Sequence, residues 1–264
     1  MIKNSVLSYP KRGPWGNNKF RGNTTGYLIK DLIEHFKPKN VLDPMCGSGT
    51  TRDVCKELKI PCDCYDLSKG FNLLQSPLPA KKYDMIFFHP PYWNIIKFSD
   101  DPADLSNCKT FSVYMRKLSF CLERLSEYLS PNGILILQIG DVRKKGKFYP
   151  LGAYVQVLYR KQLKDKIIKI QHGCQSNNNF YPGNFIRIMH EEVLCLKNFE
   201  PVTWQQLIRR VFEELNATQL TLPEIYKPLM KHPKTLTNPT FQATVRKNIQ
   251  RIGVSKKRGI WQLH

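Results

Sequence analysis

The sequence predicts an α/β fold with a mostly parallel sheet, followed by a smaller helical domain. Short apolar runs alternate with amphipathic helical segments through the first 199 residues. The run 134–139 is dominated by Ile and Leu, as in a strand buried on both faces of a parallel sheet. After Phe199 the alternation gives way to helical patterns. We therefore expect one domain over residues 1–199 and a second over residues 200–264.

The first domain is predicted to begin with a polar, basic and glycine-rich arm over residues 1–26. Thr24 or Thr25 can cap a helix that ends before Pro38. Beyond that helix, the pattern predicts strands over 40–43, 61–66, 83–88, 134–139, 167–172 and 186–197, and helices over 50–58, 111–129 and 152–165. The tripeptide 131–133, Pro-Asn-Gly, predicts a turn.

The second domain is predicted to contain helices that begin near Thr203 and Leu222 and a helix over 241–252. A basic glycine turn and a short apolar strand follow. This layout is typical of a winged helix-turn-helix. Residues 200–264 contain 11 Lys and Arg against 4 Asp and Glu, a net charge of +7.

The whole chain is strongly basic, with 41 Lys and Arg against 21 Asp and Glu. A net charge of +20 favours a polyanionic partner. We expect a cytoplasmic protein, because the sequence contains neither a signal-peptide pattern nor an apolar run long enough to span a membrane. The eight cysteines lack the CxxC spacings of zinc sites, so we predict reduced thiols and no metal.

A glycine-rich turn follows the predicted strand 40–43. Gly47 and Gly49 let the backbone approach a ligand where a Cβ atom would clash. Asp66 ends the next strand, 19 residues after Gly47, a spacing that suits a hydrogen bond to a ribose. Asp43 disfavours a pyrophosphate and favours a cofactor that carries a cationic amine. These features predict a nucleoside cofactor such as S-adenosylmethionine rather than NAD.

A second special turn, His89-Pro90-Pro91-Tyr92, follows the predicted strand 83–88. Its rigid backbone can present carbonyl groups and an aromatic face to a planar base. Both turns follow the carboxyl ends of strands, where α/β sheets bind their ligands. The pair therefore suggests transfer of a methyl group to an amine.

These two turns resemble the motifs of the DNA amino-methyltransferases, Asp-Pro-x-x-Gly-Ser-Gly-Thr and [Asp/Asn/Ser]-Pro-Pro-[Tyr/Phe/Trp]. The resemblance covers about residues 5–198 and implies a Rossmann-like methyltransferase fold with S-adenosylmethionine as cofactor. A weaker likeness to the segment before that family's last strand lies at Arg187 and His190-Glu191. The residues that the resemblance assigns to the cofactor are Asp43, Pro44, Cys46, Gly47, Gly49, Asp66 and Asn72.

The resemblance assigns catalysis to His89, Pro90, Pro91 and Tyr92. In that family the target base is flipped out of the duplex. The Pro90 carbonyl and the first motif residue would accept hydrogen bonds from the base amine, and Tyr92 would stack on the base. His89 departs from the family pattern, and its acceptor nitrogen depends on its tautomer. His89 therefore leaves the target base open, and the order of the motifs favours N6 of adenine.

The partner implied is double-stranded DNA, with a cognate restriction endonuclease as an optional second partner. The basic residues of the second domain that we expect to contact DNA are Arg246, Lys247, Arg251, Lys256, Lys257 and Arg258. Basic stretches with interleaved aromatic residues also occur at 11–21 and 143–149.

Three alternatives stay open at the level of sequence. The enzyme could methylate N4 of cytosine in DNA. It could methylate N2 of guanine in RNA, because that family has a similar cofactor loop. The chain could also be a DNA-binding regulator on a methyltransferase scaffold, although Gly47, Gly49, Asp66 and the Pro-Pro-Tyr corner argue against it.

Overall fold

The computed structural model describes residues 1–173, 185–200, 203–215, 217–230, 233–236, 238–257 and 259–264. The chain divides into two compact units, Met1–Phe199 and Glu200–His264. Each unit has its own apolar core.

The first unit is built on a seven-stranded sheet. Its strands are β1 Val6–Ser8, β2 Val41–Asp43, β3 Cys62–Cys64, β4 Tyr83–Phe88, β5 Leu129–Ile139, β8 Leu163–Ile170 and β9 His190–Leu196. They lie in the order β1-β8-β9-β5-β4-β2-β3, and β9 runs antiparallel to its neighbours β5 and β8 while the other pairs are parallel. The predicted Rossmann-like α/β fold with a mostly parallel sheet is confirmed.

Helices cover both faces of this sheet, and their bounds are α1 Gly26–Phe36, α2 Thr50–Glu57, α3 Phe111–Ser126 and α4 Leu151–Leu158. The helices α1 and α2 pack on one face, in a cluster with Met85 and Phe87. The helices α3 and α4 pack on the other face, in a cluster with Ile86 and Phe88. Successive side chains of β4 therefore pack against helices on opposite faces of the sheet, as expected from the alternation of side chains along a strand. The strand order reverses between β2 and β4, which places a crevice at their carboxyl ends.

The prediction of one helix over 152–165 is wrong. The helix α4 ends at Leu158, and residues Leu163–Ile170 form β8. The charged start of β8, with Lys164, Asp165 and Lys166 exposed, contains no strand-like alternation. Antiparallel pairing with β9 overrides this local preference, which is a common tertiary effect.

The predicted turn at 131–133 is also wrong, because these residues lie inside β5. Pairing of Tyr83 with Leu129 is followed by pairing of Met85 with Ile134, so β5 absorbs its extra residues as a bulge. A Cβ atom on Gly133 would lie 2.8 Å from the Tyr83 carbonyl oxygen, and the bulge therefore needs glycine at this position.

Other boundaries differ from the prediction by a few residues. The helix predicted over 111–129 ends at Ser126, and the strand predicted over 186–197 begins at His190. The arm predicted over 1–26 is not irregular throughout, since Val6–Ser8 forms β1 and pairs in parallel with β8. A short hairpin of β6 Val142–Lys144 and β7 Lys147–Tyr149 follows β5.

The second unit combines helices with a three-stranded antiparallel sheet. Its elements are α5 Trp204–Glu214, β10 Leu220–Thr221, α6 Leu222–Leu229, α7 Pro233–Leu236, α8 Phe241–Ile252, β11 Gly253–Lys257 and β12 Ile260–Leu263. The strand order is β10-β12-β11. Capping boxes at Thr203 with Gln206 and at Thr221 with Glu224 start α5 and α6. A core that includes Ile208, Ile225, Val245 and Ile249 joins the helices.

Within the described ranges, no helix is long and apolar enough to cross a membrane. The seven described cysteines form no disulfide bond.

Candidate active site

A cavity of about 800 Å³ opens at the carboxyl ends of the central strands of the first unit. Volumes in this range hold small-molecule ligands and cofactors. The cavity brings together most of the residues predicted for the cofactor and for catalysis, namely Asp43, Pro44, Cys46, Gly47, Asp66, Asn72, His89, Pro90, Pro91 and Tyr92. Gly49 is not among its lining residues.

The glycine turn joins β2 to α2 at one end of the cavity. Gly47 has φ of 44° and Gly49 has φ of 86°, both in the left-handed region that favours glycine. A Cβ atom on Gly47 would lie 2.8 Å from the Phe20 ring, which also lines the cavity. The turn is therefore a cradle that any larger side chain would fill.

Asp43 lies at the floor of this cradle and is 3% exposed. Burial raises its pKa to about 7, although hydrogen bonds from Thr51 and from the Met45 backbone N–H favour the ionised form. Proximity to Asp66 raises the pKa further. A buried carboxylate that is costly to ionise gains most from a cationic ligand, because the cation compensates for the lost hydration.

Asp66 connects the glycine turn to the end of β3. Its Oδ2 accepts a hydrogen bond of 2.9 Å from the Gly47 N–H, and its Oδ1 accepts one of 3.0 Å from the Ser68 N–H. The carboxylate thereby holds the shape of the turn while still facing the cavity. Asn72 lies nearby, and its Oδ1 accepts a hydrogen bond from the Leu74 N–H. Two carboxylates beside a glycine cradle suit a nucleoside that carries a cationic amine.

The Pro-Pro-Tyr corner after β4 forms the other end of the cavity. The Pro91 carbonyl accepts hydrogen bonds from the Tyr114 hydroxyl at 2.8 Å and from the Trp93 N–H at 3.0 Å. No residue in the described part of the chain donates to the Pro90 carbonyl. Trp93 has φ of 51°, which is rare for a bulky side chain and marks a strained corner. The corner thus leaves the Pro90 oxygen available to a ligand.

A buried polar cluster supports this corner, and sequence reasoning missed most of it. The Tyr92 hydroxyl lies 2.8 Å from His89 Nε2 and 2.7 Å from Glu191 Oε1. Glu191 Oε2 accepts from Lys169 Nζ at 2.6 Å and from Gln138 Nε2 at 2.8 Å. The available signal was Gln138, a polar residue inside the apolar run of β5. Lys169 and Glu191 lie in charged parts of β8 and β9 and gave no such signal.

Burial and charge set the protonation of this cluster. Burial lowers the pKa of His89 to about 4, so the imidazole is neutral at pH 7. Burial alone would raise the pKa of Glu191, but the charges of Lys169 and His89 and the hydrogen bonds from Lys169 and Tyr92 together lower that pKa to about 2. Burial and the nearby Glu191 raise the pKa of Tyr92 well above its ordinary value. The site at neutral pH therefore contains a neutral histidine, a neutral tyrosine and a paired carboxylate.

The β6–β7 hairpin starts next to the corner. Gly140, just before it, lies so close to Tyr92 that a Cβ atom would be 2.6 Å from the ring. Lys144 anchors the hairpin through a 2.6 Å hydrogen bond to the Asn94 side chain. Lys145 and Gly146 have positive φ angles, as a two-residue type I′ turn requires. With Lys147, they form an exposed basic tip at the same edge of the sheet as the cavity.

Five of the six basic residues predicted for DNA contact are described, and they lie on α8 and β11 of the second unit. Lys247, Arg251, Lys256 and Lys257 are exposed. Arg246 is also exposed, but its Nε donates to the Tyr226 hydroxyl at 2.9 Å, so part of its hydrogen-bonding capacity is used within the unit. Arg258 lies outside the described residues.

Metal ligation has no candidate in the described ranges, where no group of three or more His, Cys, Asp or Glu side chains could hold an ion.

A scan against protein-family models and a search of curated proteins both find no match to this sequence. Among solved structures, the chain is similar to the CcbJ methyltransferase from Streptomyces caelestis over 66% of its length and 90% of that protein, at 10% identity and a TM-score of 0.42. It is similar to an S-adenosylmethionine-dependent methyltransferase from Archaeoglobus fulgidus over 68% and 96%, at 15% identity and a TM-score of 0.41.

A third similar structure is TTHA0409 from Thermus thermophilus, which is described provisionally as a DNA modification methylase. The alignment covers 66% of this chain and 62% of that protein, at 18% identity and a TM-score of 0.34.

Proposed function

We propose that this chain transfers a methyl group from S-adenosylmethionine to an exocyclic amine of a base in double-stranded DNA, with N6 of adenine as the preferred atom. One observation carries the proposal. A single cavity of about 800 Å³ joins a glycine cradle with two carboxylates to a Pro-Pro-Tyr corner. The first end suits a cationic nucleoside, and the second suits a planar base.

The residues at the first end fit the proposed cofactor. Asp43 would pair with its ammonium group, and Asp66 would accept hydrogen bonds from its ribose. The Gly47 backbone could approach the cofactor closely, since the residue has no side chain. A Cβ atom there would fill the space beside Phe20. When bound, the cofactor would supply a methyl group on a positively charged sulfur.

The residues at the second end suit an amine nucleophile. An exocyclic base amine is weak because its lone pair is delocalised into the ring. Hydrogen-bond acceptors for both N–H groups would turn that lone pair away from the ring. The Pro90 carbonyl and His89, which both line the cavity, would be those acceptors. The Tyr92 hydroxyl is hydrogen-bonded to Glu191, and the Tyr92 ring would stack on the flipped base. Such positioning can supply much of the rate enhancement.

Two basic surfaces support DNA as the substrate. The exposed tip of the β6–β7 hairpin lies at the cavity edge of the sheet, and α8 with β11 carries exposed Lys and Arg side chains. We propose that the second unit is a winged-helix domain, and its strand order and succession of helices support this proposal. Basic side chains of such domains contact phosphates and grooves.

Labelled methyl transfer from S-adenosylmethionine to duplex DNA tests the proposal, followed by digestion and mass spectrometry of the nucleosides. We expect N6-methyladenine. N4-methylcytosine would keep the enzyme class and change the target base. Methylation of structured RNA alone, or cofactor-independent DNA binding without methylation of either substrate, would contradict the proposal.

A further inference from the structure

His89 has two ring nitrogens, and only one of them can accept a hydrogen bond when the ring is neutral. Its Nε2 lies 2.8 Å from the Tyr92 hydroxyl, inside the protein. His89 also lines the cavity, and no described residue hydrogen-bonds its Nδ1. The nitrogen available to a ligand is therefore Nδ1, and its chemistry depends on which tautomer the surrounding residues select.

The residues around Glu191 determine where the proton of the Tyr92 hydroxyl lies. Glu191 accepts from Lys169 Nζ and Gln138 Nε2, and it is 6% exposed. The amide of Gln138 is held in this orientation because its oxygen accepts from the Thr24 hydroxyl at 2.9 Å. An ionised carboxylate has no proton to donate. The Tyr92 hydroxyl must therefore donate its proton to Glu191.

A tyrosine hydroxyl has one proton, so Tyr92 can only accept from His89. The proton of the neutral imidazole therefore lies on Nε2, and Nδ1 carries a lone pair. We infer that Glu191 and Lys169 are positioning residues that hold His89 in its Nε2–H tautomer and leave Nδ1 as an acceptor for the N–H of a substrate amine. The role in the reaction rests on the proposed function, whereas the tautomer itself does not.

The opposite tautomer would place a proton on Nδ1. That nitrogen would then face an amine N–H as a donor facing a donor, and the hydrogen bond would be lost. An Asp, Asn or Ser at this position needs no such support, because each has an acceptor oxygen without a ring tautomer. A histidine at the start of the motif therefore needs neighbours that fix its tautomer, and the buried Lys169–Glu191 pair meets that need.

Long-range proton–nitrogen NMR on the full-length protein, with histidine labelled by nitrogen-15, reads the tautomer directly. His89→Asn assigns the signal among the 6 histidines. For the unsubstituted protein at pH 7 we expect a protonated Nε2 and an unprotonated Nδ1. A protonated Nδ1 in this protein would overturn the inference.

Glu191→Gln is the test of cause. Its amide can donate to the Tyr92 oxygen, so the hydroxyl becomes free to donate to Nε2 and the Nδ1–H tautomer is expected to appear. Glu192→Gln is the matched control, since the next residue along β9 makes the same charge change while bonding Gln156 and Lys166. An unchanged tautomer in Glu191→Gln would overturn the inference.

Tyr92→Phe is the second variant, in case Glu191→Gln does not fold. It removes the acceptor from Nε2 and keeps the ring, so a mixture of tautomers is expected. Circular dichroism verifies the fold of each variant. A single Nε2–H tautomer in folded Tyr92→Phe would also overturn the inference.

Kinetics test the link to the reaction. Glu191→Gln is expected to lower kcat at least tenfold while the Kd for S-adenosylmethionine stays unchanged. In a His89→Asn background the same substitution is expected to cost much less, because an amide has no tautomer to misplace. An equal loss in both backgrounds would contradict the positioning role. If the predicted tautomer is found but no nucleic acid is methylated, the proposed function is contradicted and the inference about the tautomer stands.

Discussion

At the scale of single residues, the proposed function places cofactor binding and methyl transfer at opposite ends of one cavity. Asp43 and Asp66 lie at the glycine turn, and Tyr92 lies at the corner. Local sequence located these residues because each lies at the end of a strand or shortly after it. Glu191 and Lys169 could not be placed in the same way, since their contact depends on the register of β8 against β9.

Tyr92→Ala is expected to lower kcat at least about 100-fold, because it removes both the stacking surface and the partner of His89. The Kd for S-adenosylmethionine is expected to stay within about threefold, since the ring lies at the opposite end of the cavity from Asp43. Single-turnover methylation and calorimetry measure the two quantities. Equal losses in both would show that Tyr92 does not act on the base.

We expect Asp43 to make the affinity for the proposed cofactor depend on pH. Its pKa of about 7 means that the carboxylate, the form that attracts a cation, is lost as the pH falls below 7. We expect the Kd for S-adenosylmethionine to rise by up to about tenfold per pH unit as the pH falls well below 7. Calorimetry between pH 5.5 and 8.5 checks this. A flat profile would mean that Asp43 does not meet the ammonium group.

Asp43→Asn is expected to weaken S-adenosylmethionine binding by about 10- to 100-fold, the usual cost of losing a charged hydrogen bond. It is also expected to raise the melting temperature at pH 8. A raised pKa makes ionisation of Asp43 destabilising, an effect absent below its ordinary value of 3.8 and complete above about pH 7. Calorimetric melting at pH 8 and pH 4 tests this, and a gain at both would point to another cause.

At the scale of elements, the α/β alternation was predictable because each strand and helix of the central sheet has its own apolar pattern. The end of the predicted helix 152–165 was not predictable as a strand. The charged residues there suit the exposed end of β8, and pairing of β8 with β9 decides the structure. The β6–β7 hairpin was visible only as a basic stretch. Its fold depends on two positive φ angles at Lys145 and Gly146.

Charge removal at this hairpin tests its proposed contact with DNA. Lys145→Gln with Lys147→Gln is expected to reduce the slope of log affinity against log salt by about 1.8, through the loss of two phosphate contacts. Lys39→Gln with Lys56→Gln is the matched control, since these exposed lysines lie toward the amino ends of the strands. Fluorescence anisotropy over a salt series measures both. Equal slopes of log affinity against log salt for the two double variants would show that the hairpin does not contact DNA.

At the scale of the whole molecule, two separate cores explain why the change of sequence pattern after Phe199 coincides with the division into units. We expect residues 1–199 alone to bind S-adenosylmethionine within about threefold of the full chain and to bind duplex DNA at least about tenfold more weakly. Calorimetry and anisotropy measure these affinities, after a cooperative melt has verified the fragment. Undiminished DNA affinity would count against the second unit as a DNA-binding domain.

The parallel pairing of β1 with β8 also has a consequence for synthesis. Val6 pairs with Ile168, so the edge of the sheet unites residues from opposite ends of the first unit. A ribosome that adds about 5–20 residues per second needs on the order of ten seconds to deliver β8 after β1 has emerged. During that interval β1 has no partner strand, and Lys169 and Glu191 are not yet present. The glycine turn and the Pro-Pro-Tyr corner are thus synthesised before Lys169 and Glu191, and the polar cluster around His89 cannot form until β8 and β9 have emerged.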